Sequence, residues 1–270
     1  MTRSKEFMIN LPKTVAACVQ FSILMTVKTV FRCFYRFEVP VHTMHLEDSK
    51  PDYSKVKLFL LLNHTSLFEP AFLAGFSNSL LWQMSNRFVY PVATKTMKKP
   101  LFNRIFRSLA PKTVPISRKR DGSWEKFINE VEADSMVGIA PEGHMKRTNG
   151  LDGKGCPLVV RPGFTDVMKK LDGGQVMILY SGGLHHVQAP GTGLPKPFKT
   201  IRGRLEIWSR EVFTKQATSL YPELEYGEAL AKFVTLRRDL FCDYKVKQPA
   251  PIASFQKPAS EPRLDHTPTL

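Results

Sequence analysis

A chain of 270 residues with 43% hydrophobic side chains can build one full core and a small accessory element, which excludes a large multidomain assembly. Its formal charge of +15 and pI near 9.7 point to an anionic partner: a membrane surface, a nucleic acid or a phosphorylated small molecule. Four scattered cysteines, Cys18, Cys33, Cys156 and Cys242, form no CxxC pair, which argues against a zinc site or disulfide framework and fits a reducing compartment.

Residues 14–37, TVAACVQFSILMTVKTVFRCFYRF, are apolar but interrupted by Gln20, Lys28, Arg32 and Arg36. The clean run from Val15 to Val27 falls short of the roughly 20 residues a spanning helix needs. Aromatic and basic residues stand where a signal peptide would carry its cleavage site. The pattern predicts an amphipathic helix lying on a membrane; the other reading is a core helix packed on the domain. Residues 40–56 read as a loop or short strand. VKLFLLL, residues 56–62, suits a buried strand, and residues 70–83 look helical. FVYPVA, residues 88–93, reads as a second strand, with Pro91 placing it at an edge or bend.

Residues 100–110 follow as a helix, with Leu101, Phe102, Ile105, Phe106 and Leu109 on one face and Pro100 near its start. TVPIS, residues 113–117, is a short strand, and residues 123–134 a helix with Ser123 as N-cap. MVGIAPEG runs as a strand into a glycine turn. PGFTDVMKKLDGG is a helix closed by glycines, QVMILYSGG the next strand, and RLEIWS, residues 204–209, the last. Strands alternating with helices indicate an α/β fold, a central mixed, largely parallel sheet flanked by helices with an N-terminal amphipathic, membrane-associated helix. The expected divisions are an N-terminal helical segment over 1–40, an α/β domain over 41–244 and a disordered, proline-rich tail over 245–270.

The chemistry centres on NHTSLFEP, where His64 follows an apolar strand and Glu69 comes five residues later. The spacing alone is weak, because His42 and Glu47 share it. Position favours His64, since groups that act on ligands cluster beyond strand ends in α/β sheets. An imidazole that takes a proton from a hydroxyl needs a partner to fix its tautomer, and Glu69 can fold back to supply it. A hydrogen bond from His64 to a backbone carbonyl, with Glu69 in water, is the competing structural reading.

Charge supplies a second clue. From Pro70 to Arg120 there is no Asp or Glu, yet there are ten basic residues, Lys95 and Arg118 among them. Ten of a surplus of fifteen charges therefore follow the candidate pair directly, a field that draws phosphate towards His64. Nucleic acid is not expected, because the phenylalanines follow core periodicity rather than an exposed stacking surface. A third feature is GIAPEGHMKR, residues 138–147, where a strand ends in a tight turn whose amides and Glu142 side chain can face a polyol or amine.

Taken in order, these blocks resemble the glycerolipid acyltransferase family, typified by the 1-acylglycerol-3-phosphate acyltransferases. NHTSLFEP is similar to its first block, Asn-His-four residues-Asp, with Glu69 in place of aspartate. TVPISRKR and APEGHMKR resemble the second and third blocks, with His144, Met145 and Lys146 in place of Thr-Arg-Ser. The resemblance covers about residues 55–210 and implies an O-acyltransferase in which His64, held by Glu69, is the general base. It further implies that Asn63, Lys95, Arg118, Glu142 and Gly143 bind substrate, with Lys95 and Arg118 on the acceptor phosphate. No metal or bound cofactor is implied; acyl-CoA or acyl carrier protein is the co-substrate, and membrane phospholipids the partners at the cytoplasmic face. The glutamate keeps open a second reading, a catalytically inactive lipid-binding relative.

Overall fold

A computed structural model describes residues 13–44, 50–98, 100–117 and 121–242. The tail expected from residue 245 lies outside the described residues, as does Arg118. The strands are β1 (Tyr35–Glu38), β2 (Val41–Met44), β3 (Val56–Leu62), β4 (Phe88–Ala93), β5 (Lys112–Ile116), β6 (Met136–Ile139), β7 (Gln175–Ser181) and β8 (Lys199–Ser209). They form one sheet in the order β1-β8-β7-β3-β6-β4-β5, with β2 also pairing β8. Every pairing is parallel except β7 with β8. The sheet is thus mixed and largely parallel.

The helices are α1 (Lys13–Phe34), α2 (Asn78–Arg87), α3 (Thr94–Met97), α4 (Pro100–Leu109), α5 (Ser123–Asn129), α6 (Phe164–Lys170), α7 (Arg210–Leu220) and α8 (Tyr226–Phe241). Strand alternation sorts the core into two layers. Leu58, Leu60 and Leu62 of β3 and Val176, Ile178 and Tyr180 of β7 join Phe164, Phe213 and Phe233 on one face. Phe59, Met177 and Leu179 point the other way, towards Leu24, Phe72 and Leu80. The sheet is therefore covered by α6, α7 and α8 on one side and by α1 and α2 on the other.

Several elements differ from the sequence reading. The helical segment expected through residue 37 stops at Phe34, and Tyr35–Glu38 pairs with β8 instead; aromatic residues in a helical register also suit a strand. The helix expected over 70–83 is two pieces, a 3-10 turn at Glu69–Gly75 and then α2, restarted by Ser77, whose Oγ caps the Leu80 amide at 3.2 Å. Strand β4 is internal rather than an edge. Its ladder with β6 ends at Val89, so Pro91, two residues on, costs that ladder no donor. Ser123 is the first residue of α5, not its cap; its amide is held by Asp121 Oδ1 at 3.1 Å, and the helix ends at Asn129. Strand β8 starts five residues earlier than expected because its first half pairs β1 and its second half β2.

Helix α1 is long and apolar enough to cross a membrane by length and composition. It packs against α2 and the Glu69–Gly75 turn.

Candidate active site

Parallel pairing brings the C-terminal ends of β3 to β7 to one edge of the sheet, and the expected site residues follow those ends. At the end of β3, Asn63 turns the chain with φ at 61°, a left-handed conformation asparagine tolerates better than most residues. Its Nδ2 donates to the Ser181 carbonyl at 2.9 Å, tying β3 to β7. The amides of Asn63 and His64 donate to the Glu142 carboxylate at 3.2 and 2.9 Å. The Lys146 amide donates to the His64 carbonyl at 2.7 Å. The turn after β6 therefore grips the backbone of His64 from both sides.

The His64 ring meets Glu69 through Nδ1 and Oε2. The other carboxylate oxygen accepts the amides of Thr65 at 2.6 Å and Ser66 at 3.3 Å. Glu69 opens the 3-10 turn, with Pro70 behind it, so a four-residue loop folds the carboxylate back onto the imidazole. One oxygen orients the ring while the other ties down the loop between them. Glu69 is 5% exposed, whereas the His64 side chain keeps 20% of its surface. Donation from Nδ1 to the carboxylate favours the tautomer that places the lone pair on Nε2.

His64 and Glu69 line a cavity of about 790 Å³ whose walls include Phe59, Phe72, Phe76, Phe88 and Leu109. Its lining runs from the α1 and α2 side of the sheet past the strand ends to Trp124 and Phe164. Tyr90 also faces it, its phenol held protonated by burial and by the Glu69 carboxylate. Beside His64 the lining turns polar with Ser66, His144 and Arg161. His144 is itself paired, Nδ1 to Asp152 Oδ2 at 3.3 Å. Asp152 accepts the amides of Lys154 and Cys156 at 2.7 and 3.0 Å, and these bonds hold its carboxyl below the usual range.

Not every expected contact is at the cavity. Gly143 lines it, with φ at 66°. Glu142 does not: its carboxylate is 3% exposed and turned beneath the His64 backbone, where Arg238 of α8 meets it at 3.3 Å. Asn63 is likewise buried, its amide spent on Ser181. Lys95 sits exposed on α3, just past β4, with no acidic partner among the described residues. Sequence reasoning missed Arg238 and Asp152, because nothing in their local pattern marks a long-range carboxylate contact. Among the described residues no group of three or more His, Cys, Asp or Glu side chains is assembled to hold a metal.

Two further histidines brace the edge. His185 Nε2 bonds the Lys146 carbonyl at 2.8 Å and His186 Nε2 the Thr200 carbonyl at 2.9 Å. Burial pushes both below the ordinary 6.5. The folded state thus holds them neutral while the unfolded chain takes up protons, so stability is full above pH 6.5 and declines as pH falls below it. The melting temperature is expected to drop steadily on acidification through that range, and His185→Gln with His186→Gln should flatten the slope; an unchanged slope would count against this assignment.

Residues 39–181 match the family model described as acyltransferase. No curated protein matches the chain. The crystal structure of the 1-acyl-sn-glycerophosphate (LPA) acyltransferase PlsC from Thermotoga maritima is similar at 16% identity and a TM-score of 0.49, over 86% of this chain and 84% of that one. The matched segment is more than half of the sequence and runs from just before β2 to the last residue of β7, and on that ground the chain belongs to the acyltransferase family.

Proposed function

We propose that this chain is a membrane-associated O-acyltransferase. It moves a fatty acyl group from an acyl thioester, acyl-CoA or acyl carrier protein, to the hydroxyl of a lysophospholipid or related glycerophosphate acceptor. One observation carries the reading: the His64–Glu69 pair opens onto a large, mainly apolar cavity. The apolar walls suit an acyl chain, and the polar end suits the reacting carbonyl and headgroup.

In the reaction, His64 Nε2 takes the proton of the acceptor hydroxyl while its oxygen attacks the thioester carbonyl. Glu69 stabilises the imidazolium that results. The tetrahedral intermediate collapses with cleavage of the C–S bond, and the proton passes from the imidazolium to the departing thiolate. Lys95 and Arg118 are assigned to the acceptor phosphate, and Gly143 to the wall of the acceptor pocket. Asn63 and Glu142 support the turn that carries His64. Helix α1 places the site at the bilayer, on the cytoplasmic face. An inactive lipid-binding relative, the other reading of the glutamate, has no need of an imidazole held by its carboxylate.

The test is thiol release and diacyl product formation with acyl-CoA or acyl carrier protein and a panel of lysolipids; transfer to none of them would overturn the reading. Gly138→Ala sharpens the test. A Cβ there would overlap the Phe88 ring, and both Phe88 and Tyr90 line the cavity. The rings must move, at a cost of about 1–3 kcal/mol, and preference is expected to shift towards shorter acyl donors.

A further inference from the structure

Helix α1 turns Lys28 and Gln20 towards the domain, while the hydroxyls of its exposed Ser22, Thr26 and Thr29 bond carbonyls of their own helix. Lys28 Nζ donates to the Phe76 carbonyl and to Asn78 Oδ1, both at 2.7 Å. Arg32 Nε donates to the Ala74 carbonyl at 3.0 Å, and Gln20 Nε2 to the Ser108 carbonyl at 2.6 Å. Val15, Val19, Val30 and Phe34 face away from the domain. Between Lys13 and Arg32 no charged side chain is on that outer face. A helix bathed in water on that side would normally show the opposite polarity.

This uncharged face continues into the connection between β7 and β8. The Phe34 and Phe198 rings lie 6.3 Å apart, and the Phe198 amide donates to the Phe34 carbonyl at 2.7 Å. Phe198 is 78% exposed and Leu194 92%, the highest values of any large hydrophobic residue among those described. Phe198 holds φ at 57°, in a region a bulky residue enters only when its surroundings hold it there. Lys196 stands between the two and Lys199 follows Phe198, and the chain has no Asp or Glu from Gly173 to Leu205.

We propose that the loop from Pro190 to Phe198 is a second membrane anchor that inserts Leu194 and Phe198 into an anionic bilayer beside α1. It rests on the reading of α1 as an interfacial helix. Exposed apolar tips flanked by lysines, with no acid nearby, match the interface of acyl chains and anionic headgroups. Continuity with the uncharged face of α1 gives the two one common plane. The loop is also tied to the active site. Gln188 accepts the Ser66 hydroxyl at 3.2 Å and donates to the Gly193 carbonyl at 3.1 Å. The Leu184 amide donates to Thr65 Oγ1 at 2.8 Å. Seating the loop thus sets the turn that carries His64 against the lipid surface.

The experiment is co-sedimentation of the full chain with vesicles of phosphatidylcholine containing phosphatidylglycerol. Leu194→Ser with Phe198→Ser is expected to weaken partitioning at least about tenfold, from the apolar surface withdrawn from lipid. Its melting temperature and its activity on detergent-dispersed acceptor should be retained. Leu220→Ser, at an exposed leucine on α7 across the sheet, should leave partitioning unchanged. If the parent chain sediments and the double variant sediments equally well, the loop anchor is overturned while the bilayer reading survives. If the parent chain does not sediment, the bilayer reading falls and takes the anchor with it.

Discussion

Alanine at position 64 is expected to lower kcat for acyl transfer by about a thousandfold, within the roughly 10²–10⁴ that a positioned general base contributes. The remaining rate would come from holding thioester and hydroxyl together in the cavity. Folding should survive, because the ring is partly exposed and the backbone of His64 is held by Glu142 and Lys146 rather than by its own side chain. Equal melting temperatures for parent and variant would exclude collapse of the site. Undiminished transfer would remove His64 from the mechanism. Glu69→Gln separates the two halves of the pair. It keeps the size of the side chain but presents a neutral amide to an imidazole that must become cationic. A loss smaller than that of His64→Ala is expected, because the imidazolium formed on proton abstraction is left without the carboxylate that stabilises it.

The pair was legible because it stands where a buried strand ends, and strand ends are readable from the break between apolar and polar residues. The run VKLFLLL forms β3 over the residues its pattern marks, and the following loop is too short to carry Glu69 far from His64. The same local logic placed β5, β6 and β7 within two residues. What failed was whatever depends on partners distant in sequence. Tyr35–Glu38 is a strand only because β8, more than 160 residues later, offers it an edge. Lys28 reads as a break in an apolar run, yet its ammonium is sheltered by a carbonyl and an amide from the segment around Phe76. Its burial pushes its pKa down, as expected for a cation taken from water. Glu142 looked like a group facing substrate because a Pro-Glu-Gly turn is normally open. Only the backbone of Asn63 and His64, arriving from another strand, shows where its carboxylate is used.

That displacement of Glu142 leads to a result of comparable size. Oε1 accepts the Asn63 amide and meets Arg238, while Oε2 accepts the His64 amide. Each oxygen of the carboxylate thus faces at least one donor. In Glu142→Gln an NH₂ group replaces one oxygen and must face a donor, leaving a buried amide or guanidinium without an acceptor. The stability cost is expected to be about 1–3 kcal/mol. The larger consequence is for catalysis, since the histidine backbone loses the anchor that sets its position, and small misplacements of this kind cost on the order of a hundredfold. Steady-state kinetics with two different acceptors distinguish this role from direct recognition. A positioning residue lowers kcat alike for both acceptors and leaves each KM near its parent value. A residue that touched the acceptor would raise KM, and by amounts that depend on the headgroup. The buried carboxylate, turned away from the cavity and towards the strand end, requires the first pattern.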